Sequence, residues 1–216
     1  MSLFGKLFGS APPPTVDGVT IDVSGYSYQG VHQGARIWHL PAGGGVVIYF
    51  FPVQPNLPGR DARVGTVRSF YEHLCAQGNR IVECREQTVD GIRCIHLVMG
   101  CASGQGRATT YVGSLTIPFK DFSFVVKTQI QEGGMTGLRE AILLDQALAD
   151  GTATVTDGKL TMHGWHPDDE RFDAQFPEHP LTQVRQVMRS ITASVRIDPQ
   201  IRQAPAFAHP NWQPDR

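Results

Sequence analysis

Two imidazoles three residues apart stand in the segment His163-Gly164-Trp165-His166-Pro167-Asp168-Asp169, and a third, His179, follows downstream. Neutral imidazole nitrogens and an aspartate oxygen are the usual donors to zinc and similar divalent ions, so His163, His166, Asp168 and His179 form a candidate metal set. Their spacing matches no established zinc signature, and a solvated turn has the same composition. An ion held there would make the chain a metal-binding protein or a metal-dependent hydrolase. Apart from that divalent metal, no cofactor is expected.

Other chemistry is thinner. Cys94 and His96 share one face of a strand, which brings a thiol and an imidazole to the same side. Two residues along a strand span about 6 to 7 Å, too far for a direct hydrogen bond unless the side chains lean together. Gly113-Ser114-Leu115 lacks the flanking glycines of a nucleophile elbow, and Ser114 falls mid-strand. Gly43-Gly44-Gly45 and the run from Gly100 to Gly106 lack the Lys-Ser/Thr ending of a phosphate-binding loop, and neither leads from a strand into a helix. No catalytic residue is assigned.

Arg171-Phe172-Asp173-Ala174-Gln175-Phe176 precedes Pro180 and a helix. Aromatic and Arg side chains are favoured anchors at interfaces, so Arg171, Phe172 and Phe176 are candidate partner-binding residues. The plainer alternative is a lid packed over a sheet.

The elements that must position these residues are legible from periodicity. Val19-Thr20-Ile21-Asp22-Val23 and Arg36-Ile37-Trp38-His39-Leu40 read as strands, and Val46-Val47-Ile48-Tyr49-Phe50-Phe51 as a central strand covered on both faces. From Asp61 to Gly78 the period becomes helical, with Val64, Val67, Phe70, Tyr71 and Leu74 on one side. Two hairpins follow. In the first, the two-residue turn in Val89-Asp90-Gly91-Ile92 sets Cys84 opposite Leu97 and Cys94 opposite Gln87, so those cysteines face opposite ways and cannot bridge. Its Ile95, Leu97 and Met99 face is expected to be core, and its Glu83, Arg85, Gln87, Cys94 and His96 face wet.

The second hairpin turns at Pro118-Phe119-Lys120-Asp121. A helix capped by Thr136 then carries Leu138, Ala141, Ile142 and Leu144, and a last helix beginning at Pro180 turns Leu181, Val184, Val187, Met188 and Ile191 inward. The fold class expected is α+β, an antiparallel meander flanked by two or three amphipathic helices.

That order, strands, helix, a four-stranded meander, then helix, together with Val89-Asp90-Gly91-Ile92-Arg93-Cys94-Ile95-His96-Leu97, resembles the PsbP-like α/β/α fold. The group includes cytoplasmic chaperones of type VI secretion effectors, and the resemblance spans residues 19–148. It implies a non-enzymatic binding protein and transfers no site residue.

Composition agrees with a globular domain: 216 residues, 41% hydrophobic, 18% charged and a net charge of -1. Nucleic acid is not an expected partner, because no dense run of Lys and Arg builds a basic stripe. Four cysteines without C-x-x-C spacing are expected as free thiols in a cytoplasmic protein. Residues 1–16 read as an arm and proline spacer, 17–197 as one domain, and 198–216 as a proline-rich tail. Within the arm, Leu3, Phe4, Leu7 and Phe8 recur at helical spacing and offer peripheral membrane contact. The functional expectation is a binding or adaptor protein with a protein partner, serving as a chaperone for a secreted or membrane-inserting protein.

Overall fold

A computed structural model describes residues 13–57, 66–75, 79–102 and 108–207. The apolar arm at residues 3–8 and the expected helix boundaries at Asp61 and Gly78 lie outside these residues. Seven antiparallel strands form the main sheet: β2 (Ser27–His32), β3 (Ala35–His39), β4 (Gly45–Phe51), β5 (Arg80–Val89), β6 (Ile92–Ala102), β7 (Thr109–Pro118) and β8 (Ser123–Gln131). Their spatial order is β2-β3-β4-β8-β7-β6-β5, so the last four strands fold back as a meander until β8 meets β4. A short β1 (Val19–Thr20) pairs instead with β11 (Arg196–Ile197).

Helices cover both faces of the sheet. Pro180–Ser194 forms α3, which has Pro at its start and the His179 side chain capping the Leu181 N–H. It crosses β7 and β8 and buries Leu181, Val184, Met188 and Ile191 completely. Each such side chain stabilises by roughly 2 kcal/mol on area grounds, an upper bound because unfolded chains are partly collapsed. Close approach has a sequence cause: a Cβ at Gly113 would stand 2.4 Å from Met188 Cγ. On the opposite face, α1 (Thr66–Leu74) packs against β5. The molecule is therefore α+β with a sheet between helical layers, as its periodicity implies.

The turn at Asp90 and Gly91 has left-handed φ at both positions, and the register pairs Cys84 with Leu97 and Cys94 with Gln87, as expected. The expected wet face is corrected. Cys94 is fully buried and His96 is 2% exposed, because α3 covers that face, while Ile95 and Leu97 on the other face are buried as well. Glu83 survives there by pairing with Arg185 of α3 and with His96, whose Nε2 lies 3.4 Å away. Polar residues thus mimic a solvated face while serving a helix that arrives about 100 residues later.

Other differences share that origin. β4 is interior, but only Val46 and Ile48 are buried, and Phe51 is 41% exposed. The alternating start at Val19 yields only two strand residues, whereas β2 forms in a segment for which no strand was expected. As an exposed edge with a bulge between Tyr28 and Gly30, β2 has no apolar alternation to read. A hairpin of β9 (Ala153–Thr156) and β10 (Lys159–Met162) was missed, although Asp157-Gly158 is a strong turn signal.

In α2 (Leu138–Asp150), Gly137 rather than Thr136 stands at the N-cap, and the buried residues are Arg139, Leu143 and Ala147. Residues 198–207 are not a free tail. A short α4 (Pro199–Arg202) is capped by Asp198, and Lys120 N–H donates to Pro205 O.

Candidate functional site

Two buried arginines organise the loop that carries the candidate residues. Arg139 of α2, 1% exposed, donates to Pro167 O at 3.0 Å, Asp169 O at 3.1 Å, Asp173 Oδ1 at 2.9 Å and Thr182 Oγ1 at 3.2 Å. Arg185 of α3 reaches the same Asp173 oxygen at 2.8 Å and also donates to Asp168 O and Glu83. A guanidinium presents five donors in a rigid plane, so each arginine ties several turns of irregular chain to a helix.

The four candidate metal residues are not brought to one point. His163 is exposed and sits 3.3 Å from Thr154 Oγ1. His166 Nδ1 accepts the Asp168 N–H at 3.1 Å and lies 3.5 Å from Asp168 Oδ2. Both Asp168 oxygens are engaged by Arg80, at 2.7 and 3.1 Å. His179 caps α3 and stacks edge-on against Tyr111.

The partner-binding candidates also divide. Arg171 lies 4.7 Å over the Phe172 ring, and Phe172 meets Trp165 edge-on at 5.8 Å. These three residues and His163 line a groove of about 390 Å³. Phe176 lies elsewhere, beneath the Arg139 guanidinium.

What sequence spacing did not reveal is a second cavity of about 460 Å³. Arg80, Glu132, Glu140, His166 and Asp168 line it, together with Leu144, Leu160 and Met162. Arg80 Nη2 also donates to Tyr111 OH at 2.9 Å and lies 3.6 Å from Glu140 Oε1. Burial opposes ionisation of Asp168, but the Arg80 bridge outweighs it and holds the carboxyl below its usual range. Burial, reinforced by the positive charge of Arg139, lowers the His179 pKa from 6.5 and favours the neutral ring. Glu132 accepts the Thr109 N–H at 2.8 Å, and its Oε1 stands 3.4 Å from His179 Nε2. The available signal was Glu132 and Glu140 flanking the start of α2; His179 joins them only through tertiary packing.

The thiol and imidazole pairing offers no nucleophile. Burial pushes the Cys94 thiol up to about 12, and its Sγ contacts Ile92 O. The described cysteines are free thiols. Gly43, Gly44 and Gly45 border an open hollow of about 560 Å³ with Ile37, Val47, Tyr49 and Lys127 on the sheet face, and no helix starts there.

Surface chemistry concentrates around α2. Met135 is 76% exposed, Leu138 46% and Ile142 37%, so these apolar side chains in and just before the first turns of α2 lie on the outside. On the adjoining hairpin, Val155 and Leu160 form an exposed cross-strand pair, and Leu160 also lines the second cavity.

The described chain is therefore an α+β protein with an antiparallel sheet between helices, a charge-lined cavity at the end of α2 and an apolar surface beside it. No protein-family model and no curated protein sequence matches it. Among solved structures, the Ran-binding protein Mog1p of Saccharomyces cerevisiae aligns with a TM-score of 0.45 at 10% identity, over 85% of this chain and 93% of that one. A mutant of protein Mog1 gives 0.42 at 10% identity with the same coverages. A protein from Bacteroides thetaiotaomicron gives 0.35 at 10% identity, over 69% of this chain and 47% of that one. Among the described residues, no helix is long and apolar enough to cross a membrane.

Proposed function

We propose that this protein is a non-enzymatic binding or adaptor protein that holds an apolar segment of another protein. The observation that carries this reading is the outward face of α2, where Leu138 and Ile142 stand four residues apart and remain exposed, with Met135 exposed in the turn that precedes the helix. α2 buries Arg139 alongside Leu143 and Ala147 while leaving Leu138 and Ile142 exposed, and apolar residues clustered outside mark interaction surfaces. Val155 and Leu160 extend the apolar surface onto the hairpin. The partner chemistry that fits is an amphipathic or membrane-inserting helix laid into a groove. In this reading the protein is a cytoplasmic chaperone that covers such a segment before secretion or insertion.

The test is affinity purification of the tagged chain from its native cell, with the Leu138→Asp, Ile142→Asp double variant in parallel. Wild type is expected to retain a stoichiometric partner that the variant loses while keeping its circular dichroism spectrum. A partner retained equally by the variant would refute this surface. A wild type that recovers no partner and instead dimerises in sedimentation would replace the adaptor reading with self-association.

A further inference from the structure

We propose that Glu132, Glu140 and His179 form a site for one divalent transition-metal ion of the Zn²⁺ type, independent of the adaptor reading. One donor atom from each residue lies within 4.8 Å of the other two. His179 Nε2 and Glu132 Oε1 are 3.4 Å apart. Two ligands each about 2.1 Å from a tetrahedral ion stand roughly 3.4 Å apart, so this pair has the separation that a shared ion requires.

Two further observations point to a ligand rather than to a structural ion pair. The His179 side chain is only 10% exposed, yet its Nε2 has no hydrogen-bond partner; the buried Glu140 Oε2 has none either. Unpartnered buried polar atoms are uncommon, and two of the three residues of this cluster carry one. Glu132 is already oriented, because its two oxygens accept the Thr109 and Gly137 N–H groups. Glu132 and Glu140 border the 460 Å³ cavity, which leaves room for water or a small ligand to complete the coordination.

Charge balance also fits. Two cations stand nearby: Arg80, 3.6 Å from Glu140, is matched by Asp168 at 2.7 Å, and Arg139, whose charge is felt at His179, is matched by Asp173 at 2.9 Å. The two glutamates remain to neutralise a doubly charged ion, and carboxylates with one imidazole suit zinc and its neighbours. In the metal-free chain His179 Nδ1 accepts the Leu181 N–H, which places the ring proton on Nε2. Loading moves that proton to Nδ1 and releases the Leu181 cap, so the Leu181 amide reports occupancy.

The experiment is Zn²⁺ titration of the full chain after chelator dialysis, by calorimetry with elemental analysis, alongside Glu140→Gln, His179→Asn and a His163→Ala, His166→Ala double variant. Asn is a good N-cap and preserves the start of α3. Wild type is expected to bind one Zn²⁺, with the Leu181 amide resonance shifting on loading. Glu140→Gln and His179→Asn should each weaken binding at least tenfold with unchanged circular dichroism, and the double variant should bind like wild type. Absence of Zn²⁺ uptake by wild type, uptake undiminished in Glu140→Gln and His179→Asn, or loss confined to the double variant would overturn the site.

Discussion

Arg139→Met tests whether the buried arginine, rather than apolar packing, holds the 166–176 loop. Met keeps an unbranched apolar stem but removes the guanidinium, and with it the contact over the Phe176 ring and four hydrogen bonds, to Pro167 O, Asp169 O, Asp173 Oδ1 and Thr182 Oγ1. Removing one partner of a buried ion pair costs about 3–5 kcal/mol. Asp173 keeps Arg185 at 2.8 Å, so the lower end, about 3 kcal/mol, is expected. At roughly 2–4 °C per kcal/mol for a chain of this size, the melting temperature should fall by about 6–12 °C.

Urea unfolding followed by circular dichroism measures the loss, and amide exchange should show faster opening across residues 168–175. Asp173→Asn should cost less in the Arg139→Met background than in wild type, because the two side chains share one interaction. A loss under about 1 kcal/mol, or strictly additive effects with Asp173→Asn, would refute the assignment.

Two further predictions follow from buried groups and close approaches. Burial opposes ionisation of Glu83, but the adjacent His96 ring and the hydrogen bond from Arg185 outweigh it and bring its pKa from 4.5 down to about 2. A depressed carboxyl pKa supplies stability that is complete above about pH 4.5 and is lost as pH falls toward 2. Glu83→Gln should therefore be less stable at pH 7 and show a shallower acid dependence over that interval in urea unfolding; parallel curves would contradict the pairing. At Gly44, φ is +79° and a Cβ would stand 2.2 Å from Gln129 O, whereas Gly43, at φ +95°, has nothing within 4 Å. Gly44→Ala should cost at least about 2 kcal/mol, and Gly43→Ala about 1 kcal/mol, for its φ alone. Equal melting temperatures for the two variants would refute the close approach.

How much of this was legible beforehand depended on the range of the interaction. The Asp90-Gly91 turn and the alternation on either side are local, so the register of β5 against β6 followed from sequence order alone from Val89 back to Glu83, beyond which a shift between Glu83 and Ile81 breaks it. α3 was equally readable, since Pro180 and the spacing of Leu181, Val184, Met188 and Ile191 lie within one helix. Tertiary structure decided everything that joined distant segments. Glu83 read as solvated because Arg185, its partner, lies 102 positions away. That Leu138 and Ile142 face outward was not legible, because helical periodicity identifies an apolar stripe but not which side the sheet occupies. The convergence of His179 with Glu132 and Glu140, instead of with His163 and His166, was likewise invisible. Donor spacing in sequence predicts a shared site only when the donors lie on one regular element, and these three lie at the end of a strand, on α2 and at the cap of α3.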